Sequence, residues 1–353
     1  MSKSHQTGRI EGLDIIRAFA IMLVVFIHGM PPEFQEIEYV NNLSGFSRIF
    51  HFTCFSIGRL GVPLFLFLSG YLLLSRDYDE IRTRKFYRNN FFSLLLTWEI
   101  WIPIYNFAMS WYNDMPIQWP TVLKNMLFIN PTGVFHGWYM EVILGIYIFI
   151  PFLSRVLRTM NQREILPLML ISYFYFFLVP TIYHLKTNPD QWNGCLDLSF
   201  SGGMYGFYLI LGFLIKQYDK PINRLVKKIS IPIILISVAA TTQAQMWASL
   251  KQIYHIWYDF CLLPMASMFI FIYLKDLRCR FLGGLITKIS TCAFGIYLVH
   301  ALLVIIFLKY HIMNFIANDE LRIVVFSLVI FVLSFISVIL LKKIPYAGKI
   351  LFR

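Results

Sequence analysis

Ten apolar runs recur along this chain, each about 17–22 residues long. A helix of that length spans a hydrocarbon core about 30 Å thick at about 1.5 Å per residue. Their approximate limits are 12–30, 52–75, 91–109, 138–156, 165–184, 201–217, 229–248, 257–274, 289–309 and 323–341. Charged residues make up 14% of the sequence and hydrophobic ones 58%, against about 25% charged in a soluble globular protein. The pattern predicts an all-α, polytopic integral membrane protein of about ten transmembrane helices, its outer surface against membrane lipid.

The basic residues fix an expected orientation. They cluster in short connections between apolar runs, with 23 Lys and Arg in one set of connections and terminal segments and 6 in the opposite set. That bias places both termini in the cytoplasm, in a multi-pass protein of the cell membrane. It also accounts for the net charge of +12 without nucleic acid as a partner. Trp111, Tyr112, Trp119, Trp138, Tyr139, Trp257 and Tyr258 gather at the expected outer boundary, as interface anchors do. The first apolar run has no cleavage signature, so no signal peptide is expected. The stretches near 31–51 and 110–137 are too short for a separate core, which leaves one membrane domain over 1–353. No internal repeat or matched pair of broken helices favours an inverted-repeat transporter. The five cysteines show no CxxC spacing and read as buried thiols, with a Cys54–Cys195 disulfide as an alternative.

Ionisable residues inside apolar runs are costly and mark function. Arg17 and His28 are eleven residues apart in the first run, so both leave one helix face, on the order of 16 Å apart along the axis. A cation at one depth and a titratable base deeper in suggest a route for an anionic substrate. In the second run, Ser69, Gly70 and Tyr71 lie near the cytoplasmic end, where Gly70 and Ser69 can pack helices or meet a ligand. The loop after it carries Arg82, Arg84, Lys85 and Arg88, a density of arginine that suits phosphate oxygens. Glu141 lies near the outer end of the fourth run, close to His136, Trp138 and Tyr139, with Tyr147 and Pro151 deeper. In the ninth run Tyr297 and His300 share a face, and His300 lies near mid-membrane. Asp259 is a further candidate, or an interfacial anchor. Zinc fits poorly: there is no HExxH and no Cys pair, and His28, His136 and His300 are expected at different depths.

These stretches, LDIIRAFAIMLVVFIH, GVPLFLFLSGYLL, RTRKFYR, HGWYMEVILGIYIFIP and AFGIYLVH, resemble the integral-membrane acyltransferase-3 family over nearly the whole chain. Within it the chain is most similar to stand-alone O-acetyltransferases such as that of enterobacterial common antigen. The resemblance implies transfer of an acyl group, usually acetyl, from cytoplasmic acetyl-CoA or another acyl-CoA. The acceptor would be a hydroxyl on a surface glycan or its lipid-linked oligosaccharide precursor, with no metal involved. The family's Arg and His map onto Arg17 and His28, its Ser-Gly pair onto Ser69 and Gly70, and its arginine loop onto Arg82 and Lys85, or onto Arg84 and Arg88. No further domain is expected after the last span, so transfer directly to the acceptor is the expectation, with His28 as general base or as an acyl-histidine. The competing reading is a transporter or flippase of an anionic substrate or glycolipid.

The topology has a direct check. Reporter fusions after Lys220 and Arg353 are expected to report cytoplasm, and a fusion near Asn188 the outside; an external C-terminus overturns the orientation.

Overall fold

The computed structural model describes residues 11–186, 194–198, 202–219, 225–250, 256–279 and 281–352. The expected cytoplasmic cations Lys3, Arg9, Lys220, Arg224, Arg280 and Arg353, and the opposite-side Lys251, lie outside the described residues. The regular structure among the described residues is helical, with no strand. Ten helices correspond to the ten expected spans: α1 (Glu11–Ile27), α2 (Gly45–Leu74), α3 (Glu80–Tyr112), α4 (Trp138–Thr159), α5 (Gln162–Lys186), α6 (Gly203–Gln217), α7 (Val226–Ser249), α8 (Leu262–Leu274), α9 (Gly283–Lys309) and α10 (Asp319–Lys343). Seven of them are long and apolar enough to cross a membrane by length and composition; α1, α6 and α8 are shorter, at 17, 15 and 13 residues.

The sequence reading misplaced one boundary in a way that matters. The basic segment expected as a loop is the opening of α3. Asp79 caps that helix by accepting a hydrogen bond from the Arg82 backbone N–H at 2.7 Å, and Glu80 adds negative charge in the first turn. Both features stabilise a helix N-terminus. Arg82, Lys85 and Arg88 are therefore presented by a helix rather than by a flexible loop. A wider π-helical turn at Tyr87–Phe91 follows before the apolar part begins.

α1 lies at the centre, packed against α2, α8, α9 and α10. Its buried face carries Ile16, Ile21, Val24 and Val25, each at most 4% exposed. Apolar side chains gain little from leaving lipid, so close backbone packing must hold such helices together. It does so where α2 meets α6: a Cβ on Gly70 would sit 1.8 Å from the Leu209 carbonyl oxygen, and one on Gly212 would sit 2.2 Å from that of Phe67. The two glycines let the backbones touch reciprocally, which gives Gly70 a role in helix packing. The Cys54–Cys195 disulfide is absent: Cys54 is buried in the bundle and Cys195 exposed, both as free thiols. Cys292 is buried too, while Cys261 and Cys279 are only partly covered.

Gly70→Val should therefore destabilise the bundle by about 1–3 kcal/mol or more, the cost of overpacking. Gly45→Ala, whose added Cβ meets nothing within 4 Å, is the matched control. Thermal unfolding in detergent, followed by size-exclusion recovery, checks the difference. Equal stability of the two variants would remove the α2–α6 contact from the account.

Candidate active site

The site is built on α1. Arg17 donates to Asp14 Oδ1 at 3.2 Å and to Ser290 Oγ at 2.8 Å, and Ser290 itself donates to Asp14 Oδ1 at 2.6 Å. Asp14 is 4% exposed, so this triangle satisfies a buried carboxylate and fixes the guanidinium between α1 and α9. The sequence reading gave Arg17 no partner and an anion-holding role. The structure shows a cation already half-compensated and held in one place.

From Arg17 a cavity of about 420 Å³ extends toward the basic end of the bundle. Ser69, Arg76, Asn89, Asn90 and Tyr147 line it. Ser69 Oγ is 3.4 Å from the Tyr147 hydroxyl. Arg76, Asn89 and Asn90 also line a second recess of about 430 Å³, which reaches Arg82 and Lys85. Arg82 and Lys85 line the recess, Arg82 paired there with Asp77 at 3.2 Å and Asp79 at 3.6 Å, while Arg84 pairs with Glu80 at 2.7 Å and Arg88 turns to Asn89; all four side chains are exposed. Tyr71 faces Lys216, whose Nζ is 5.1 Å from its ring centroid, and does not line either recess.

At the opposite end, His28, His136 and His300 converge. The expectation of different depths was wrong: His300 lies 5.3 Å from His28 and 5.1 Å from His136 between ring centroids. The cause is the segment before α4, which folds into the bundle. Glu141 accepts hydrogen bonds from the Thr132 backbone N–H at 2.9 Å and from its hydroxyl at 3.0 Å, turning that segment inward. His136 Nε2 then meets the Tyr105 hydroxyl at 3.1 Å, and Tyr297 donates to the His136 carbonyl at 2.7 Å. Glu141 is thus a positioning residue for the loop, not a wall of either cavity. Among the described residues no three His, Cys, Asp or Glu side chains are placed to share one metal ion.

Beside the histidines lies a cavity of about 460 Å³, within the roughly 300–1,000 Å³ of small-molecule sites. His28 and His136 line it, with Arg59, Trp138, Trp257 and Tyr258 opposite. Tyr139 and Tyr297 line both this cavity and the one at Arg17, their rings 5.8 Å apart. The two chambers meet at this tyrosine pair. Arg59 was overlooked as a site residue, although it stands alone within an expected apolar run, the same signal that singled out Arg17. Ser290 and Tyr105 carried no sequence signal. Asp259 belongs elsewhere, 3.7 Å from His184.

The family model described as an acyltransferase domain matches residues 10–342. The chain belongs to this acyltransferase-3 family, and it is a multi-pass membrane acyltransferase. No curated protein and no solved structure matches it.

The two-chamber geometry predicts sided access. In a chain whose native cysteines are replaced, Ser69→Cys and Met30→Cys should react with a membrane-impermeant thiol reagent from opposite faces. Adding Tyr297→Ala should open each position to the other face. Labelling of both from one face with Tyr297 intact would mean that the chambers are not separated there.

Proposed function

We propose that this protein is an O-acyltransferase, most simply an O-acetyltransferase. It would move an acetyl group from cytoplasmic acetyl-CoA to a hydroxyl of an extracytoplasmic or lipid-linked glycan of the cell surface. The observation that carries this reading is the pair of cavities meeting at Tyr139 and Tyr297, one opening toward Arg76, Arg82 and Lys85, the other lined by His28 and His136 with His300 packed behind them. In this reading the ten helices all cross the cell membrane, with both termini in the cytoplasm, and the basic end of the bundle faces inward. The likeness to O-acetyltransferases of the enterobacterial common antigen type supports a glycan acceptor.

The residues fit the donor. Guanidinium and ammonium groups at Arg76, Arg82 and Lys85 suit the phosphates of coenzyme A. The narrow pantetheine arm suits the passage past Ser69 and Tyr147 to the tyrosine pair, with Arg17 held rigid beside it. The acceptor occupies the aromatic-lined chamber. His28 takes the proton of the attacking hydroxyl as its oxygen bonds to the thioester carbonyl carbon. The carbon–sulfur bond breaks, the electron pair leaves with sulfur, and the proton follows to give free coenzyme A. Transport without chemistry accounts for the basic recess but gives the histidine cluster no task.

One assay separates donor binding from chemistry. General-base assistance is worth about a hundred- to ten-thousand-fold, so His28→Ala should lose at least about two orders of magnitude in transfer while still binding acetyl-CoA. Arg82→Ala with Lys85→Ala should instead weaken acetyl-CoA binding about tenfold or more, since a hydrogen bond to a charged group contributes about 1.5–3 kcal/mol. Arg84→Ala with Arg88→Ala should change that affinity little. Transfer by His28→Ala above about a tenth of wild type, with His300→Ala inactive, would assign the base to His300 instead.

A further inference from the structure

Among the described residues, Arg59 is the only Lys or Arg lining the histidine chamber, and no carboxylate lines it. It follows the last turn before α2 bends at Gly58–Leu60, and its guanidinium carbon lies 4.3 Å from the Trp257 ring centroid, 4.6 Å from Phe55 and 5.2 Å from Tyr258. Among the described residues no Asp or Glu oxygen comes within ion-pair distance of it, and its buried Nε has no hydrogen-bond partner. The nearest acid along the chain from Tyr258, Asp259, is turned to His184. Arg17, by contrast, has Asp14.

A cation inside a bundle of apolar helices is costly unless something of opposite charge meets it. Ring faces offset part of that cost, and they also hold the guanidinium flat and oriented. Tyr258 also accepts a hydrogen bond from the Arg59 side chain, but the Nε–H edge of the fork stays unpartnered, and that edge matches the oxygens of a carboxylate or phosphate. The fork is in the chamber that also contains His28 and His136. The aromatic rings around it offer flat apolar surface to the face of a sugar ring.

Resting on the acyltransferase reading above, we infer that the acceptor is an anionic glycan: a carboxylate or phosphate oxygen docks on Arg59, and this anchor presents a neighbouring sugar hydroxyl to the histidines. Arg59 is then a specificity-determining residue for the acceptor, on the far side of the tyrosine pair from the donor's phosphates. The two charged subsites keep donor and acceptor from exchanging places, since each is reached from its own chamber.

The test reads binding and transfer separately. Methyl glucuronoside, methyl glucoside and glucose 1-phosphate are titrated against purified full-length protein in detergent, followed by tryptophan fluorescence, because Trp138 and Trp257 line the chamber. Acetyl transfer from labelled acetyl-CoA to the same three probes is measured alongside. The wild type should bind one or both charged probes at least tenfold more tightly than the neutral glucoside. A preference for the glucuronoside assigns a carboxylate, and one for glucose 1-phosphate assigns a phosphate. Arg59→Gln should abolish the preference by raising KM for charged probes, and Arg59→Lys should retain part of it. Equal wild-type affinity for charged and neutral probes overturns the inference, and so does a preference that survives in a monodisperse Arg59→Gln protein. Charged-probe binding that depends on Arg59 but yields no acetyl transfer to any probe upholds the anion site and counts against the transferase reading. Transfer to the neutral probe alone does the reverse.

Discussion

The triangle of Asp14, Arg17 and Ser290 is the contact on which the rest of the site depends. A lone guanidinium among apolar helices would be expelled toward water or would draw water in. Here one carboxylate oxygen accepts from both Arg17 and Ser290, and Ser290 Oγ in turn accepts from Arg17. The network ties α1 to α9, and α9 carries Tyr297 and His300. The depth of Arg17 on one helix thus fixes the height of the histidine site on the other. Asp14 is the buried member of the pair, so the triangle sets register as well as charge.

The second dependence runs through the segment before α4. Its inward fold brings a backbone stretch, with unpaired polar groups, into an apolar environment, which is tolerated only when protein satisfies those groups. Glu141 takes the Thr132 N–H, and Tyr297 serves the His136 carbonyl. Asn125 donates to the Pro131 carbonyl at 2.7 Å. The result is an aromatic and imidazole cluster from α3, the 131–137 segment, α9 and the turn after α1, where His28 follows the helix end at Ile27. The same loop delivers Trp138 to Trp257 and Tyr258, with ring centroids 5.2 and 5.3 Å away. The histidine cluster and the tryptophan–tyrosine wall of the chamber are therefore placed by one fold of the chain.

Much of this was legible in the sequence, for a definite reason. Apolar length and the rarity of charge inside apolar runs are signals that lipid imposes on single residues, and they pointed to helices, to Arg17 and His28, and to His300. Contacts between helices leave no such trace. Nothing in the spacing of Ser290 pairs it with Asp14, and nothing around His136 says that its segment turns inward. The basic motif shows the same limit. Four cations in seven residues were visible, but which two face the recess depends on the cap at Asp79 that starts the helix early. Arg59 was legible and passed over, since an isolated arginine in an apolar run carries the same meaning wherever it occurs.

The hydrogen bonds around the three histidines give them different freedoms. Tyr105 has one hydroxyl proton and donates it to the Leu298 carbonyl at 2.7 Å, so at His136 it accepts. His136 therefore carries its proton on Nε2 and leaves Nδ1 as a bare acceptor. His300 Nδ1 faces the Tyr297 carbonyl at 2.6 Å, which can only accept, so its proton is on Nδ1 and Nε2 is bare. Both rings are locked in one neutral tautomer by partners that cannot change roles. His28 has no hydrogen bond to the described residues, only ring neighbours in Phe135 and His300. A group that must gain a proton and give it back within one turnover needs that freedom. On the acyltransferase reading proposed above, that freedom marks His28, rather than His136 or His300, as the group to carry the proton.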